Sequence, residues 1–485
     1  MTMAKEFIVA IELGSSKMTG IAGQKNLDGS ISVLAVVKEE SSLFIRKGMV
    51  YNIDKTAQCV QSIVKKLEAQ LKTQITRVYV GVGGQSIRGV KNVVTKDLPA
   101  GTIVTDAMVD ELVDINCSTN YPDQEILDTA VQEYKVDSQY QQAPVGIQCT
   151  RLEGNYLNIL QRKAFYKNFN KCFDVAGISI AEILNAPLAL ADAVLTEAER
   201  RSGCALIDIG SDTTTVSVYS KNILRHLAVI PLGGANITKD IATLQMEEAD
   251  AEKMKLKYAS AYTDNNEIDN TQKYPIDQDR QVESRRFIEI VEGRLEEIVE
   301  NAWYQVPSEY CDKLLGGIIL TGGGANLKNI ERAFQNHTHI DKIRVAKAPV
   351  LTVTGGNEDI KSKNGMMNTV LGLLAKGDLN CAGSAIDMNG DLFENDKPKT
   401  VNESNDQRPA RKPGEVRTGV VLTEAEKQQA EEEARQKREE EERIAREKAE
   451  AEAAEAARIK RENSWWHKMK KGATQFAKGM FDSEE

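Results

Sequence analysis

The 485-residue sequence has no apolar run of the 18 to 20 or so residues that a membrane-spanning helix needs. Its seven cysteines lie far apart without C-x-x-C spacing, which predicts free thiols and neither a disulfide framework nor a zinc site. The net charge of −10 argues against a nucleic-acid binder. The apolar N-terminal stretch contains Glu6 and Glu12, which favours a strand over a secretory signal. These absences predict a soluble, cytoplasmic protein that binds no nucleic acid.

Two common nucleotide-binding motifs, GxxxxGK[ST] and GxGxxG, are also missing. The chain instead repeats a glycine turn: residues 10–19 read AIELGSSKMT and residues 206–215 read LIDIGSDTTT. In each, an apolar strand with a carboxylate near its end leads through Gly-Ser into a second strand. The matched pair predicts a duplicated fold with a cleft between its halves, where the turns cradle phosphates and the acids hold a hydrated Mg²⁺.

A third glycine turn lies in residues 316–326, GGIILTGGGAN. Here a predicted strand runs into three glycines, followed by a helix predicted to begin near Leu327. Residues without side chains let the backbone approach a flat or phosphorylated ligand closely. The four histidines show no ligand spacing, and no chemistry is assigned to them.

In their order and spacing, the three motifs resemble the first phosphate loop, second phosphate loop and adenosine loop of the superfamily of actin, heat-shock chaperones and sugar kinases. Within that superfamily, residues 5 to about 376 resemble the FtsA family of bacterial cell division proteins. Two features carry the closer resemblance: the glutamate in AIELGSSK, where actins have aspartate, and an insert opened by RVYVGVGGQSIRG and closed by RLEGNYLNILQRK. The resemblance implies an α/β, actin-like ATPase fold of two duplicated halves with an inserted 1C subdomain.

The resemblance also implies subdomain boundaries in the head of the protein. They are 1–81, 164–202 and a closing helix at 363–376 for subdomain 1A, 82–163 for the SHS2-like 1C insert, 203–230 and 307–362 for 2A, and 231–306 for 2B. The segment NAPLALADAVL, residues 185–195, resembles the family's connecting helix.

The composition changes after residue 376. Residues 377–423 have few large apolar side chains and several prolines, which predicts a disordered linker. Residues 424–462 are almost entirely Ala, Glu, Lys and Arg, with glutamates four residues before basic residues, which predicts a charged single helix.

Residues 463–485 predict an amphipathic membrane-targeting helix, with tryptophans and other apolar residues on one side and lysines on the other. Anionic lipid would attract the lysines. The residues expected to bind the membrane are Trp465, Trp466, Lys468, Met469, Lys471, Phe476, Lys478, Met480 and Phe481. The alternative is that this helix docks on the head or in a groove of a partner.

The resemblance places ATP and Mg²⁺ between the two halves. Glu12 and Asp208 would hold metal-bound waters and act in hydrolysis. The residues expected to contact the nucleotide are Gly14, Ser15, Ser16, Lys17, Gly210, Ser211, Asp212, Thr213, Thr214, Gly233, Gly234, Glu252, Lys255, Gly322, Gly323, Gly324 and Ala325. Related ATPases carry Glu or Gln on the connecting helix where Asn185 stands here, so slow hydrolysis, or nucleotide binding alone, is expected.

Structural alternatives to these roles stay open. Glu12 and Asp208 could be solvated strand ends, and Lys17 a surface lysine. Glu252 and Lys255 could form an ordinary i,i+3 helix pair. Asn185 precedes a proline-containing helix start and could be a helix cap.

The resemblance implies a polymerising cell division protein that anchors the FtsZ ring to the cytoplasmic face of the inner membrane. Later division proteins would bind through the 1C subdomain. The acidic C-terminal peptide of FtsZ would bind subdomain 2B, where Arg285, Arg286 and Arg294 are candidates. The alternative is a metabolic kinase or another ATPase of the same superfamily, which would give no reason for the terminal helix.

Overall fold

The structure, a computed structural model, describes residues 6–385. The predicted charged helix, the predicted membrane-targeting helix and most of the predicted linker lie outside the described residues. Among the described helices, none is long and apolar enough to cross a membrane. All seven cysteines lie within this range and are free, as the sequence predicts.

The first half starts with a strand, IVAIEL, in which five of six residues are buried, so it forms the middle of a sheet covered on both faces. Its longest helix begins where the Asn52 side chain accepts a hydrogen bond from the backbone N–H of Lys55 at 3.0 Å. The elements in this part are β1 (Ile8–Leu13), β2 (Lys17–Lys25), β3 (Ile31–Glu40), β4 (Ile45–Arg46), β5 (Met49–Val50), α1 (Ile53–Leu71), β6 (Thr73–Ile75) and β7 (Arg77–Val82).

An antiparallel subdomain with its own small core follows. Its elements are β8 (Arg88–Ile103), α2 (Asp106–Cys117), β9 (Gln124–Val136), β10 (Gln139–Gln141) and β11 (Gln148–Arg162). The strand order is β10-β9-β11-β8, and α2 packs on β8 and β11. Leu112, Leu152 and Tyr156 are fully buried in its core.

The chain then returns to the first half through α3 (Lys163–Ala176), β12 (Ser179–Asn185), α4 (Ala186–Val194) and α5 (Glu197–Ser202). The second half opens with β13 (Cys204–Ile209), β14 (Thr214–Ser220) and β15 (Ile223–Ile230), followed by α6 (Gly234–Ala242), α7 (Glu248–Tyr258), β16 (Lys273–Pro275), β17 (Gln281–Glu283), α8 (Ser284–Tyr304) and α9 (Ser308–Cys311). The last elements are β18 (Gly317–Thr321), α10 (Ile330–Thr338), β19 (Ile343–Val345), β20 (Val353–Thr354), α11 (Glu358–Lys361), α12 (Asn368–Lys376) and β21 (Ala382–Ala385).

The two main sheets repeat one topology. The first half has the order β12-β7-β1-β2-β3-β20, and the second has β19-β18-β13-β14-β15. In both, three antiparallel strands are followed by two strands added in parallel to the first. The register repeats as well, since Glu12 pairs with Thr19 and Asp208 pairs with Thr215. The duplication predicted from the two Gly-Ser turns is therefore confirmed.

Helix α12 closes the first half by packing on α4 and β1. The sequence predicts that a linker begins at residue 377, and this is wrong for residues 378–385. The Tyr79 hydroxyl accepts hydrogen bonds from the backbone N–H groups of Asp378 and Leu379 at 2.9 and 2.8 Å. The N–H of Cys381 donates to the carbonyl of Phe7 at 2.8 Å, and β21 pairs with β6. Backbone bonding, which a low apolar content does not reveal, extends the head to at least residue 385.

Candidate functional site

The two acids predicted to face each other come together where the halves meet. Burial, and then the negative charge of Asp208, raise the pKa of the Glu12 carboxyl to about 8. A hydrogen bond with the Thr369 side chain and the charge of Lys38 act in the opposite direction without cancelling this effect. Burial also raises the pKa of Asp208 to about 6. Two carboxylates that lie this close and are poorly solvated favour a cation or metal-bound water between them.

The first polar turn, Gly14 to Lys17, is held by neighbouring backbone. The Ser41 hydroxyl donates to the Gly14 carbonyl at 2.6 Å, and the Ser41 N–H donates to the Ser16 carbonyl at 3.0 Å. The Ser15 hydroxyl oxygen accepts the N–H of residue 48 at 2.8 Å, which leaves its own proton free to donate.

Lys17, predicted to be the fixed cation of the site, has a side chain that is 56 % exposed. Its Nζ lies 3.8 Å from a carboxylate oxygen of Glu40, which is itself exposed. Exposed pairs of this kind hold a side chain only weakly, with a free energy of about 0–1 kcal/mol. The lysine can therefore reorient, and its predicted contact with phosphate stays a prediction.

The second polar turn is bonded to the start of α6. The N–H of Gly210 donates to the carbonyl of Thr213 at 2.9 Å, which closes the turn. The N–H of Gly234 donates to the carbonyl of Gly210 at 2.9 Å, and the N–H of Ala235 donates to the carbonyl of Ser211 at 2.8 Å. The fold thus joins the predicted second phosphate loop to the predicted Gly233–Gly234 wall as one backbone cluster.

Glu252 and Lys255 belong to the same cluster through α7. Lys255 is buried, and its Nζ donates to the Gly234 carbonyl at 2.9 Å and the Thr238 hydroxyl at 2.8 Å. Glu252 pairs with Lys255 at 2.7 Å and accepts from Thr238 at 2.5 Å. The i,i+3 pair therefore forms, but it also fixes α7 against the start of α6. Its predicted contact with ribose or adenine remains untested.

The third glycine turn packs on the second acid. Gly322 has φ +86°, a left-handed conformation that favours glycine, and a Cβ there would lie 2.4 Å from Oδ1 of Asp208. Gly323 faces open space, with the nearest atom to its ideal Cβ 3.9 Å away at Met366. A 3₁₀ turn spans Gly323–Asn326, so the α-helix begins at Ile330 and the predicted start near Leu327 is wrong. The tight turn places the predicted adenosine loop beside the predicted metal-binding carboxylate.

Asn185 stands at the end of β12 and at the N-cap position of α4. Its side chain makes no capping hydrogen bond, so the capping interpretation is wrong. Residue 185 is only 3 % exposed, and both its Oδ1 and its Nδ2 are buried without a protein partner. Because buried amides are nearly always hydrogen-bonded, these atoms suit a water or ligand atom.

The three arginine candidates for a peptide site differ in their surroundings. Arg294 is already engaged, because its guanidinium donates to Asp240 at 2.5 and 3.3 Å and also binds Glu297. Arg285 and Arg286 are exposed in the first turn of α8, and Arg285 donates to the Asn270 side chain at 3.0 Å. An acidic peptide could therefore contact Arg285 and Arg286 without breaking an ion pair among the described residues, whereas at Arg294 it would have to displace Asp240 or Glu297.

Two features of the structure were missed by the sequence reasoning. The turn between β4 and β5 contacts both predicted phosphate loops, although no motif marks it. His337, to which no chemistry was assigned, lies with Glu296 and Glu300 so that their ligand atoms are all within 4.8 Å of one another. The spacing of the two glutamates on α8 was visible in the sequence, but the distant histidine had no local signal. Nε2 of His337 lies 3.8 Å from a carboxylate oxygen of Glu296.

Comparison with known proteins agrees with this geometry. A profile described as "Cell division protein FtsA" matches residues 205–372, and one described as "SHS2 domain inserted in FTSA" matches residues 84–160. The second match confirms the predicted insert, whose expected range was 82–163. The PilM-PilN type IV pilus biogenesis complex contains a chain of similar fold, with a TM-score of 0.50 at 13 % identity, covering 76 % of this chain and 97 % of that one. The predicted actin-like fold is confirmed.

The chain is also similar to curated cell division proteins over most of its head. Cell division protein FtsA of Porphyromonas gingivalis is 31 % identical over 342 residues, which are 69 % of this chain and 71 % of the relative. The protein of the same name from Neisseria meningitidis is 32 % identical over 338 residues, 68 % of this chain and 81 % of the relative. That of Escherichia coli is 28 % identical over 389 residues, 77 % and 90 % of the two chains. The chain therefore belongs to the FtsA family and is an actin-like cell division protein.

Proposed function

We propose that this cell division protein binds ATP with Mg²⁺ between its two halves. The observation that carries the proposal is the convergence of two matched Gly-Ser turns on a pair of carboxylates whose pKa values are raised. A metal ion would neutralise that pair, and the hydroxyls and N–H groups of the turns would bind phosphate oxygens. Because Gly322 and the two glycines after it have no side chains, the backbone of this turn could lie close to the base and sugar of the nucleotide.

The nucleotide would regulate assembly more than it would be consumed. Asn185 has two unpartnered side-chain atoms that can hold a water, but an amide is a poor proton acceptor. Bound Mg²⁺ would supply charge stabilisation to the phosphates, while this chain's residues orient the nucleotide and exclude bulk water. We expect slow hydrolysis or none.

The test is equilibrium binding of ATP to the full-length protein with and without Mg²⁺. We expect saturable binding that Mg²⁺ strengthens. No binding at millimolar ATP would contradict the proposal. Turnover that rises when a sugar or another small hydroxylated acceptor is added would favour the metabolic-kinase alternative.

The proposal extends to self-assembly on a membrane. The family supports a polymerising protein that tethers FtsZ, and the lysine- and tryptophan-bearing segment 463–485 supports an interfacial membrane helix on the cytoplasmic face. A single such helix binds reversibly, so a row of heads would hold the membrane through many helices at once. Deleting residues 463–485 should release the protein from vesicles containing anionic lipid. Sedimentation with those vesicles that is unchanged by the deletion would rule out this anchor.

The acidic C-terminal peptide of FtsZ would bind at the exposed start of α8. We expect Arg285→Glu together with Arg286→Glu to weaken peptide binding by at least tenfold, since two attractive charges become repulsive. Lys171→Glu, an exposed charge reversal on α3, is the matched control and should bind normally. Arg294→Glu should act differently, because it breaks the ion pairs with Asp240 and Glu297 and should therefore lower the stability of the protein. Peptide binding by the double variant equal to that of the control would exclude this surface.

A further inference from the structure

The turn between β4 and β5 touches three parts of the molecule that are distant in sequence. Lys47 has φ +52° and Gly48 has φ +71°, so both residues at the tip are left-handed, as in a tight hairpin. The base is anchored by Ile45, which is fully buried, and by Phe44. A tight turn on a buried base holds its backbone N–H groups in fixed positions.

Those N–H groups bind one side chain from each predicted phosphate loop. The N–H of Gly48 donates to the Ser15 hydroxyl oxygen at 2.8 Å. The N–H of Lys47 donates to Oδ2 of Asp212, in the other half of the molecule, at 3.0 Å. The turn therefore bridges the two loops directly and sets their separation.

The same turn packs against the root of the inserted subdomain, the connection between β7 and β8. The N–H of Gln85 donates to the carbonyl of Lys47 at 2.9 Å. Gly48 and Gly84 lie in backbone-to-backbone contact: an ideal Cβ on Gly84 would lie 2.6 Å from the Cα of Gly48 and 2.5 Å from the carbonyl oxygen of Lys47. A side chain at either position would separate the two segments.

We propose that the Lys47–Gly48 turn is a positioning element that couples occupancy of the nucleotide site to the placement of the inserted subdomain. The inference rests on the proposed binding of ATP and adds a regulatory route from that site. The carbonyl of Lys47 and the close glycine pair carry the connection to the insert. The two N–H bonds carry the connection to the nucleotide loops.

The coupling follows from hydrogen-bond geometry. Ser15 accepts from the turn, so its own proton is directed elsewhere and is available to a phosphate oxygen. Asp212 is an expected nucleotide contact in the second phosphate loop, so a bound nucleotide acts on the same carboxyl group that accepts the N–H of Lys47. A change in the turn then reaches residues 84 and 85. Such coupling is reciprocal: if nucleotide binding favours one placement of residues 84 and 85, a substitution that favours another placement lowers the affinity for nucleotide.

The experiment compares Gly84→Ala with Gly146→Ala in the full-length protein. Both glycines have positive φ, +92° and +87°, so both substitutions strain the backbone. Only Gly84 has close neighbours, because no atom lies within 4 Å of the ideal Cβ of Gly146. We expect Gly84→Ala to weaken ATP binding on the order of tenfold, although residue 84 is not among the predicted nucleotide contacts. Gly146→Ala should bind as wild type.

Hydrogen exchange of the wild-type protein provides a second measurement that does not depend on a variant. Adding Mg²⁺ and ATP should change the exchange rates of the amides of residues 83–92 in the wild type. Failure of the wild type to bind ATP would defeat the proposed function itself. Normal ATP binding with equal affinity in both variants, and no change of exchange at residues 83–92 in the wild type, would overturn the coupling alone.

Discussion

Asp208 lies close enough to Glu12 for its charge to raise the pKa of the Glu12 carboxyl, although 196 positions separate them in the chain. The proximity arises because each acid occupies the same place in one of two matched sheets, on the strand that precedes a Gly-Ser turn. Two poorly solvated carboxylates at this distance destabilise the ligand-free protein when both are ionised.

This pair predicts that stability without ligand falls as the pH rises. From about pH 4.5 the unfolded chain loses the Glu12 proton, whereas the folded protein keeps it until about pH 8, so unfolding becomes easier across that window. Asp208→Asn should make the decline shallower, since it lowers the pKa of Glu12 and removes a second raised pKa. The measurement is the urea unfolding free energy at several pH values. Glu12→Gln removes the same titration, and an unchanged slope in that variant would refute the assignment.

The third glycine turn predicts different outcomes for neighbouring residues. Gly322→Ala forces a Cβ to within 2.4 Å of Asp208 and requires φ +86°, so it should destabilise the protein by about 1–3 kcal/mol and weaken ATP binding at least tenfold. Gly323→Ala is the matched control for stability and should change the unfolding free energy by little, since its side chain meets open space. Thermal unfolding and ATP titration measure the two effects of Gly322→Ala. An equal loss of stability in the two variants would contradict the packing described at Asp208.

The inserted subdomain docks on the second half through a buried ion pair. Arg225 of β15 donates to Glu133 of β9 at 2.8 Å, and both side chains are mostly buried. Glu133→Gln should lower the unfolding free energy by about 1–3 kcal/mol and speed hydrogen exchange in β9, because the arginine loses its charged partner. Glu309→Gln removes the exposed pair with Lys91 at the same junction and should cost less than about 1 kcal/mol. A similar loss of unfolding free energy in the two variants would show that the buried pair contributes no more to stability than the exposed one.

A second ion pair, between the buried carboxylate of Glu199 and the partly exposed Arg344, predicts the acid limit of stability. Burial by itself would raise the pKa of the Glu199 carboxyl. Hydrogen bonds from Arg344 at 2.6 and 2.8 Å and from Thr196 outweigh burial and lower this pKa to about 2. The pair therefore contributes fully above about pH 4.5 and is lost as the pH falls towards about 2. Glu199→Gln should cost about 2 kcal/mol at pH 7 and flatten the acid limb of the stability curve.

The control for that pair lies on the same short helix. Glu197 forms an exposed i,i+4 pair with Arg201, so Glu197→Gln should change the unfolding free energy by about 0.5 kcal/mol or less. Unfolding curves between pH 2 and 7 for both variants make the comparison. If the unfolding free energy of Glu199→Gln still fell with decreasing pH as steeply as that of the wild type, the loss of stability in acid would be due to other carboxylates.

Local patterns in the chain predicted the fold well where strands were buried on both faces. The paired Gly-Ser turns indicated the duplication, whereas the bounds of the insert came from the family resemblance, which placed them within a few residues of the matched domain. The segment after α12 was misjudged, because Tyr79 and Phe7 hold it through backbone bonds that leave no trace in its composition. The predicted start of α10 is wrong because a 3₁₀ turn over Gly323–Asn326 and a left-handed Asn329, with φ +61°, precede the helix.

The sequence by itself determined the strands, the turns and the identity of the acids, since apolar periodicity and glycine act locally. Tertiary structure alone decided how those parts meet. It placed Asp208 beside Glu12, engaged Arg294 with Asp240, and brought the unmarked turn at Lys47 between both phosphate loops and the root of the insert. These relationships depend on contacts between elements that are far apart in the chain, so the residues acquire their pKa values and partners only in the folded protein.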